Sequence, residues 1–103
     1  MRLLVFFDLP VKTKLERKQA TSFRNFLLKD GFYMVQFSLY GRICNTIESA
    51  QMHETRIAMN LPTYGSVRSM IVTEKQYASM RVLVGNLKPK ENKKISSEQI
   101  SFF

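Results

Sequence analysis

The sequence predicts an α+β fold, a sandwich with two helices on one face of an antiparallel sheet. Three observations lead there. Leu3, Leu4, Val5, Phe6 and Phe7 form an unbroken apolar run, the pattern of a strand buried on both faces in the middle of a sheet. Two stretches with helical spacing lie on either side of a stretch with period two. All of this fits within 103 residues, enough for one domain and too few for two.

The apolar run ends at Asp8, and Pro10 blocks further pairing. A carboxylate at the end of a rigid central strand is well placed for a site. It can equally do no more than organise the following loop through hydrogen bonds to the backbone. Residues 13 to 30 read as a helix. Thr13 and Glu16 fit the capping-box pattern, in which each side chain satisfies an end amide. Leu15, Ala20, Phe23, Phe26 and Leu27 share one broad face, with Lys14, Arg17, Lys18 and Arg24 opposite. Gly31 is a natural stop, because glycine takes the left-handed conformation that ends many helices.

Residues 32 to 43 alternate: Tyr33, Val35, Phe37 and Leu39 against Met34, Gln36, Ser38 and Tyr40. They form one bent strand or two short strands broken near Gln36 or Phe37, and no turn residue decides between these. Gly41 is expected to mark a bulge or bend. A second helix spans 46 to 60, with Asn45 and Glu48 at its start and Ile47, Ala50, Ile57 and Ala58 as a thin apolar stripe. Pro62 and Gly65 mark the connection to a strand over 66 to 73, rich in β-favouring residues. Residues 74 to 78 read as a polar turn and Met80 to Val84 as a last strand.

The domain then covers residues 1 to 86. Residues 87 to 103 are a basic, partly mobile tail in which Lys88, Lys90, Lys93 and Lys94 crowd together ahead of Phe102 and Phe103. Strand, helix, extended segment, helix, strand is the order of a ferredoxin-like sandwich. The final strand is surplus to its four-stranded form and must find an edge, for which a second copy of the chain offers a place.

Sixteen Lys and Arg against eight Asp and Glu give a net charge of +8, which favours polyanions, either nucleic acid or an anionic membrane. No apolar run approaches the roughly 18 residues needed to span a bilayer. Residues 3 to 7 are too short for a signal-peptide core and lack a cleavage site, so no secretion is expected. Cys44 is the single cysteine. It offers neither an intrachain disulfide nor a zinc quartet, it suits a reducing cytoplasm, and it reads as a small buried apolar residue.

Lys12, Lys14, Arg17 and Lys18 lie within seven positions, interrupted by one acid, Glu16. Basic side chains beside the amides of a helix N-terminus bind phosphate in a sequence-blind, salt-sensitive way. The same residues also describe an ordinary solvated helix face. No recognition-helix pattern and no aromatic strand motif for single-stranded RNA is evident. Hydrolysis has less support. Magnesium takes oxygen ligands, and a metal nuclease brings two or more carboxylates together. Only Asp8 is well placed; Asp30, Glu48, Glu54, Glu74, Glu91 and Glu98 fall at helix ends, on exposed faces or in the tail. Two copies of Asp8 facing each other across a dimer axis make a better site than one. Ser38 and Tyr40 could add oxygen contacts to a phosphate or a water. His53 reads as a solvent-facing helix residue. A third reading, a regulatory dimer that binds a small anion, lacks a glycine-rich loop to support it.

An apolar first strand ending in Phe-Asp, a Leu-Pro-basic loop, a helix closing at Asp30-Gly31-Phe32 and the stretch Val-Gln-Phe-Ser-Leu-Tyr-Gly resemble the second of the two universal CRISPR-associated proteins. This is the small adaptation protein that partners the CRISPR integrase and is often labelled an endoribonuclease. The resemblance covers roughly residues 1 to 86, and the loop and tail look like versions found beside single-effector systems. It implies a ferredoxin-like fold and a symmetric homodimer whose last strand crosses onto the partner's sheet. It implies that the dimer bridges integrase dimers along double-stranded DNA awaiting insertion, where other adaptation proteins could join it. The family's DNA-contacting basic residues match Lys12 and Lys14. Its metal-binding aspartate, paired with its copy, matches Asp8, with Mg2+ as the implied ion. Where the family often has tyrosine before that aspartate, this chain has Phe7.

Overall fold

The computed structural model describes residues 1–85. The elements are β1 (Arg2–Asp8), α1 (Lys14–Lys29), β2 (Tyr33–Gln36), β3 (Leu39–Ile43), α2 (Ile47–Ala58), β4 (Ser66–Val72) and a short α3 (Glu74–Ala78). The four strands form one sheet in the order β2-β3-β1-β4, with every neighbouring pair antiparallel. This is the α+β sandwich that the element order predicts, with β1 in the interior of the sheet.

Alternation along β1 divides its side chains between two faces. Leu3, Val5 and Phe7 join Phe23 and Leu27 of α1 and Ala50 and Ile57 of α2 in one buried cluster, so both helices cover the same face. Phe7 meets Phe23 edge-to-face, with ring centroids 5.4 Å apart. Leu4 points the other way and is buried as well. It packs over Gly41 together with Tyr33: a Cβ on Gly41 would lie 3.2 Å from the Tyr33 hydroxyl and 3.3 Å from Leu4. Gly41 is therefore not the expected bulge. It pairs in regular register with Leu4, and the irregularity falls in β2, between Met34 and Gln36.

The capping box forms as the sequence predicts: the Glu16 amide donates to the Thr13 hydroxyl, and the Thr13 amide donates to the Glu16 carboxylate. Gly31 has the positive φ of 91° that ends α1. The extended stretch resolves into two strands joined through Phe37 and Ser38. Leu15 does not reach the core and is exposed. The start of α2 is one residue later than Asn45, with Thr46 as its cap accepting from the Ser49 amide. Its buried stripe is Ala50, His53 and Ile57, while Ile47 and Ala58 face outward.

One expectation near the end of the described chain is corrected. Residues 74 to 78 are a helix, started by a second capping box between Thr73 and Gln76. Residues 80 to 84 form no strand within the chain. The Met80 amide turns back to the Tyr77 carbonyl, so the backbone leaves α3 in a turn rather than along a strand edge. The helix is held to β1 by Arg2, whose Nε donates to both carboxylate oxygens of Glu74 at 3.0 and 3.1 Å and whose guanidinium lies 4.1 Å from the Tyr77 ring centre. Hydrogen bonding with Tyr33 pushes the Tyr77 phenol above its ordinary pKa. The lysine-rich tail and the two terminal phenylalanines lie outside the described residues.

Candidate nucleic-acid and metal site

Asp8 is exposed at the end of β1, with Ser66 of β4 opposite it in the ladder. The Phe7 amide donates to the Ser38 carbonyl at 3.0 Å, which draws the β2–β3 turn to the same end of the sheet. On the other side, Gly65 has a φ of 104°, and a Cβ there would sit 2.6 Å from the Asp8 carbonyl oxygen. Two loops therefore close tightly on the backbone that carries Asp8.

The result is a cleft of about 240 Å3 that holds Asp8 and Ser38 together with Gln36, Ser66 and Arg68. Among the described residues nothing hydrogen-bonds or ion-pairs to the Asp8 carboxylate. Tyr40, the other hydroxyl considered for this place, is buried against Phe7 in the core and does not reach the cleft. Sequence reasoning does not find Arg68. Strand periodicity puts Ser66 and Arg68 on one face, but only the register with Phe6 and Asp8 reveals which face that is.

The basic residues divide by role. Lys12, Lys14, Arg17 and Lys18 are all exposed. Arg17 donates to the Val11 and Lys12 carbonyls at 3.1 and 3.0 Å, and the Glu16 carboxylate accepts from the Lys12 amide at 3.0 Å. Residues 11 to 13 are thus held from both sides, with Lys12 in this loop and Lys14 at the first position of α1, both following the end of β1 that carries Asp8. Glu16 and Thr13 also occupy part of the helix N-terminus, leaving less of it for phosphate than the sequence suggests. Lys18 borders a different groove, of about 320 Å3, between α1 and residues 60 to 63.

His53 and Asp30 also differ from expectation. His53 is buried, and its Nδ1 lies 2.7 Å from Asp30 Oδ2. Arg56 reaches the other oxygen of Asp30 at 2.9 Å. Asp30 is buried beneath them rather than left at an open helix end, so this carboxylate is consumed by the fold. No group of three or more His, Cys, Asp or Glu among the described residues could hold a metal ion. The cleft offers one carboxylate and the hydroxyls of Ser38 and Ser66. These are oxygen donors of the kind magnesium accepts, in the small number it takes when water and substrate phosphate complete the shell.

A sequence model of the family described as CRISPR associated protein Cas2 matches residues 1–80. A protein of Acidovorax ebreus named CRISPR-associated endoribonuclease Cas2 is 55% identical over 103 residues, covering 100% of both chains. A protein of the same name from Campylobacter jejuni is 45% identical over 98 residues, covering 95% of this chain and 67% of its own. In fold, the chain is similar to a crystal structure of Streptococcus pyogenes Cas2 at pH 6.5, with a TM-score of 0.61 and 19% identity over 85% of this chain and 100% of that one. No helix among the described residues is long and apolar enough to cross a membrane.

Proposed function

The chain belongs to the Cas2 family of CRISPR-associated proteins, and from that membership we propose that it is a homodimeric scaffold for spacer acquisition in the cytoplasm. It grips double-stranded DNA by the backbone and spaces integrase subunits along it. The observation that carries this reading is the loop of residues 11 to 13. Glu16 and Arg17 hold it in place, so that Lys12 and Lys14 stand exposed at the Asp8 end of the sheet. Lysines on a fixed loop lose less freedom when they meet a phosphate than lysines on a loose one. Arg68 adds a further cation at the same end.

Replacing Lys12 and Lys14 by alanine weakens binding to all duplex sequences alike. It also lowers the slope of log affinity against log salt by about one for each phosphate no longer neutralised. An unchanged slope refutes the assignment of these two lysines.

The cleft favours a second reading, a magnesium-dependent phosphodiesterase, in keeping with the word endoribonuclease in the relatives' names. Bound magnesium would supply charge neutralisation at a phosphate and an activated water. Asp8, with its copy in the second subunit, is the carboxylate to hold it. Arg68 is positioned to take a phosphate oxygen, and Ser38 a phosphate or a water. Cleavage of RNA and duplex DNA is compared for the wild type and Asp8→Asn in magnesium. Equal rates remove Asp8 from any hydrolytic role and leave the scaffold reading alone.

A further inference from the structure

Arg24 and Phe37 are unused by either reading. Arg24 leaves the middle of α1 and lies over two rings: its guanidinium carbon is 4.3 Å from the Phe37 ring centre and 5.5 Å from that of Phe7. Nothing in the described chain neutralises it. Its Nε is buried without a hydrogen-bond partner, and no carboxylate among the described residues pairs with it. An arginine positioned by aromatic faces instead of by an acid keeps its full charge for an incoming anion.

Phe37 is equally unusual. It stands in the two-residue turn between β2 and β3, where no backbone requirement calls for an aromatic, and it is 73% exposed. Arg24 lies against one face of the ring, and most of the ring's surface meets solvent. Its neighbours on either side, Gln36 and Ser38, both line the Asp8 cleft. Gln36 and Phe37 also border a second groove, of about 800 Å3, which Arg81 lines as well.

We propose that Phe37, backed by Arg24, is a stacking platform for an unpaired base of the nucleic acid whose backbone is held at the Asp8 end. A planar apolar ring, a cation behind it and an amide beside it are the parts with which proteins hold single-stranded nucleotides. The ring takes the face of the base, Gln36 reaches its edge, and Arg24 or Arg81 takes the adjoining phosphate. A fully paired duplex cannot use the ring, since its bases are stacked on one another. The ligand is therefore a duplex with a frayed or overhanging strand, or a single strand. The inference rests on the backbone-binding reading above.

The test uses the full chain and two DNA probes, a blunt duplex and the same duplex with a short overhang carrying 2-aminopurine. The wild type binds the overhang form more tightly, on the order of ten-fold, and its 2-aminopurine emission falls on binding. Phe37→Ala abolishes both the preference and the change in emission, while blunt-duplex affinity and its salt slope stay as they were. Phe37→Trp retains both. Arg24→Met weakens the preference without removing it. If Phe37→Ala keeps the preference, the platform is refuted and the backbone reading stands. If Phe37→Ala instead alters only the oligomeric state, the ring belongs to a contact between copies and the inference fails. If the wild type binds neither probe at low salt, the backbone reading falls, and the platform with it.

Discussion

Asp30 and Asp8 are the same residue in opposite circumstances. Asp30 closes α1 and is buried, with one oxygen on His53, the other on Arg56, its backbone carbonyl on Arg42 Nε at 2.8 Å and its amide on Phe26. Asp8 ends β1 and is exposed, and its carboxylate has no partner among the described residues. A carboxylate is tolerated in the interior only when its hydrogen-bonding capacity is filled, and then nothing of it remains for a ligand. A carboxylate left open in a cleft contributes little to folding and keeps its charge for a cation. Location in the fold, more than residue type, separates the acid consumed by the structure from the acid left open.

That contrast can be broken. Asp30→Ala leaves the buried His53 without its partner, while the half-exposed Arg56 turns to water, and is expected to cost about 3 kcal/mol, read as a lower midpoint in urea denaturation. Gly65→Ala comes next. It forces a left-handed backbone on alanine and drives a methyl group into the Asp8 carbonyl, with a loss on the order of 1–3 kcal/mol in thermal unfolding. On the proposed phosphodiesterase reading it also weakens magnesium binding at Asp8, a residue it does not replace, as followed by NMR titration. Thr13→Ala removes one half of the capping box for about 1 kcal/mol, and the Lys12 amide then exchanges faster with deuterium. Asp8→Asn has the smallest effect on stability, within about 0.5 kcal/mol, yet on the proposed phosphodiesterase reading it abolishes magnesium binding. If Asp8→Asn destabilises as much as Asp30→Ala, the contrast between the two acids is wrong.

What can be read in the sequence is local. The apolar run of β1, the Thr13–Glu16 box and the stop at Gly31 are each specified by neighbouring residues. The second box, Thr73 with Gln76, carries the same signature, but the stretch behind it is so short and polar that it reads as a turn rather than as α3. The break at Phe37–Ser38 has no glycine, proline or asparagine to announce it. The pairing of Asp30 with His53 joins residues 23 apart, brought together only when α1 and α2 share one face of the sheet. Arg68 in the Asp8 cleft and Arg24 over two rings have the same origin. Each is visible as a basic residue, but its surroundings are set by strand register and helix rotation, which no short window of sequence contains. The four-stranded sheet could be expected, whereas residues 80 to 84 read as a strand by composition but leave α3 through a turn and join neither open edge of the sheet, β2 or β4.

The central position of β1 also has a bearing on synthesis. One flank of this strand pairs with residues 39 to 43, but the other pairs with β4, joining Arg2 to Val72. While the ribosome is still making the second helix, Leu-Leu-Val-Phe-Phe has a free edge of amides and carbonyls and an incomplete covering. Such a segment is sticky towards any extended peptide it meets. Until β4 pairs with it, that edge is the part of the fold most open to wrong pairing.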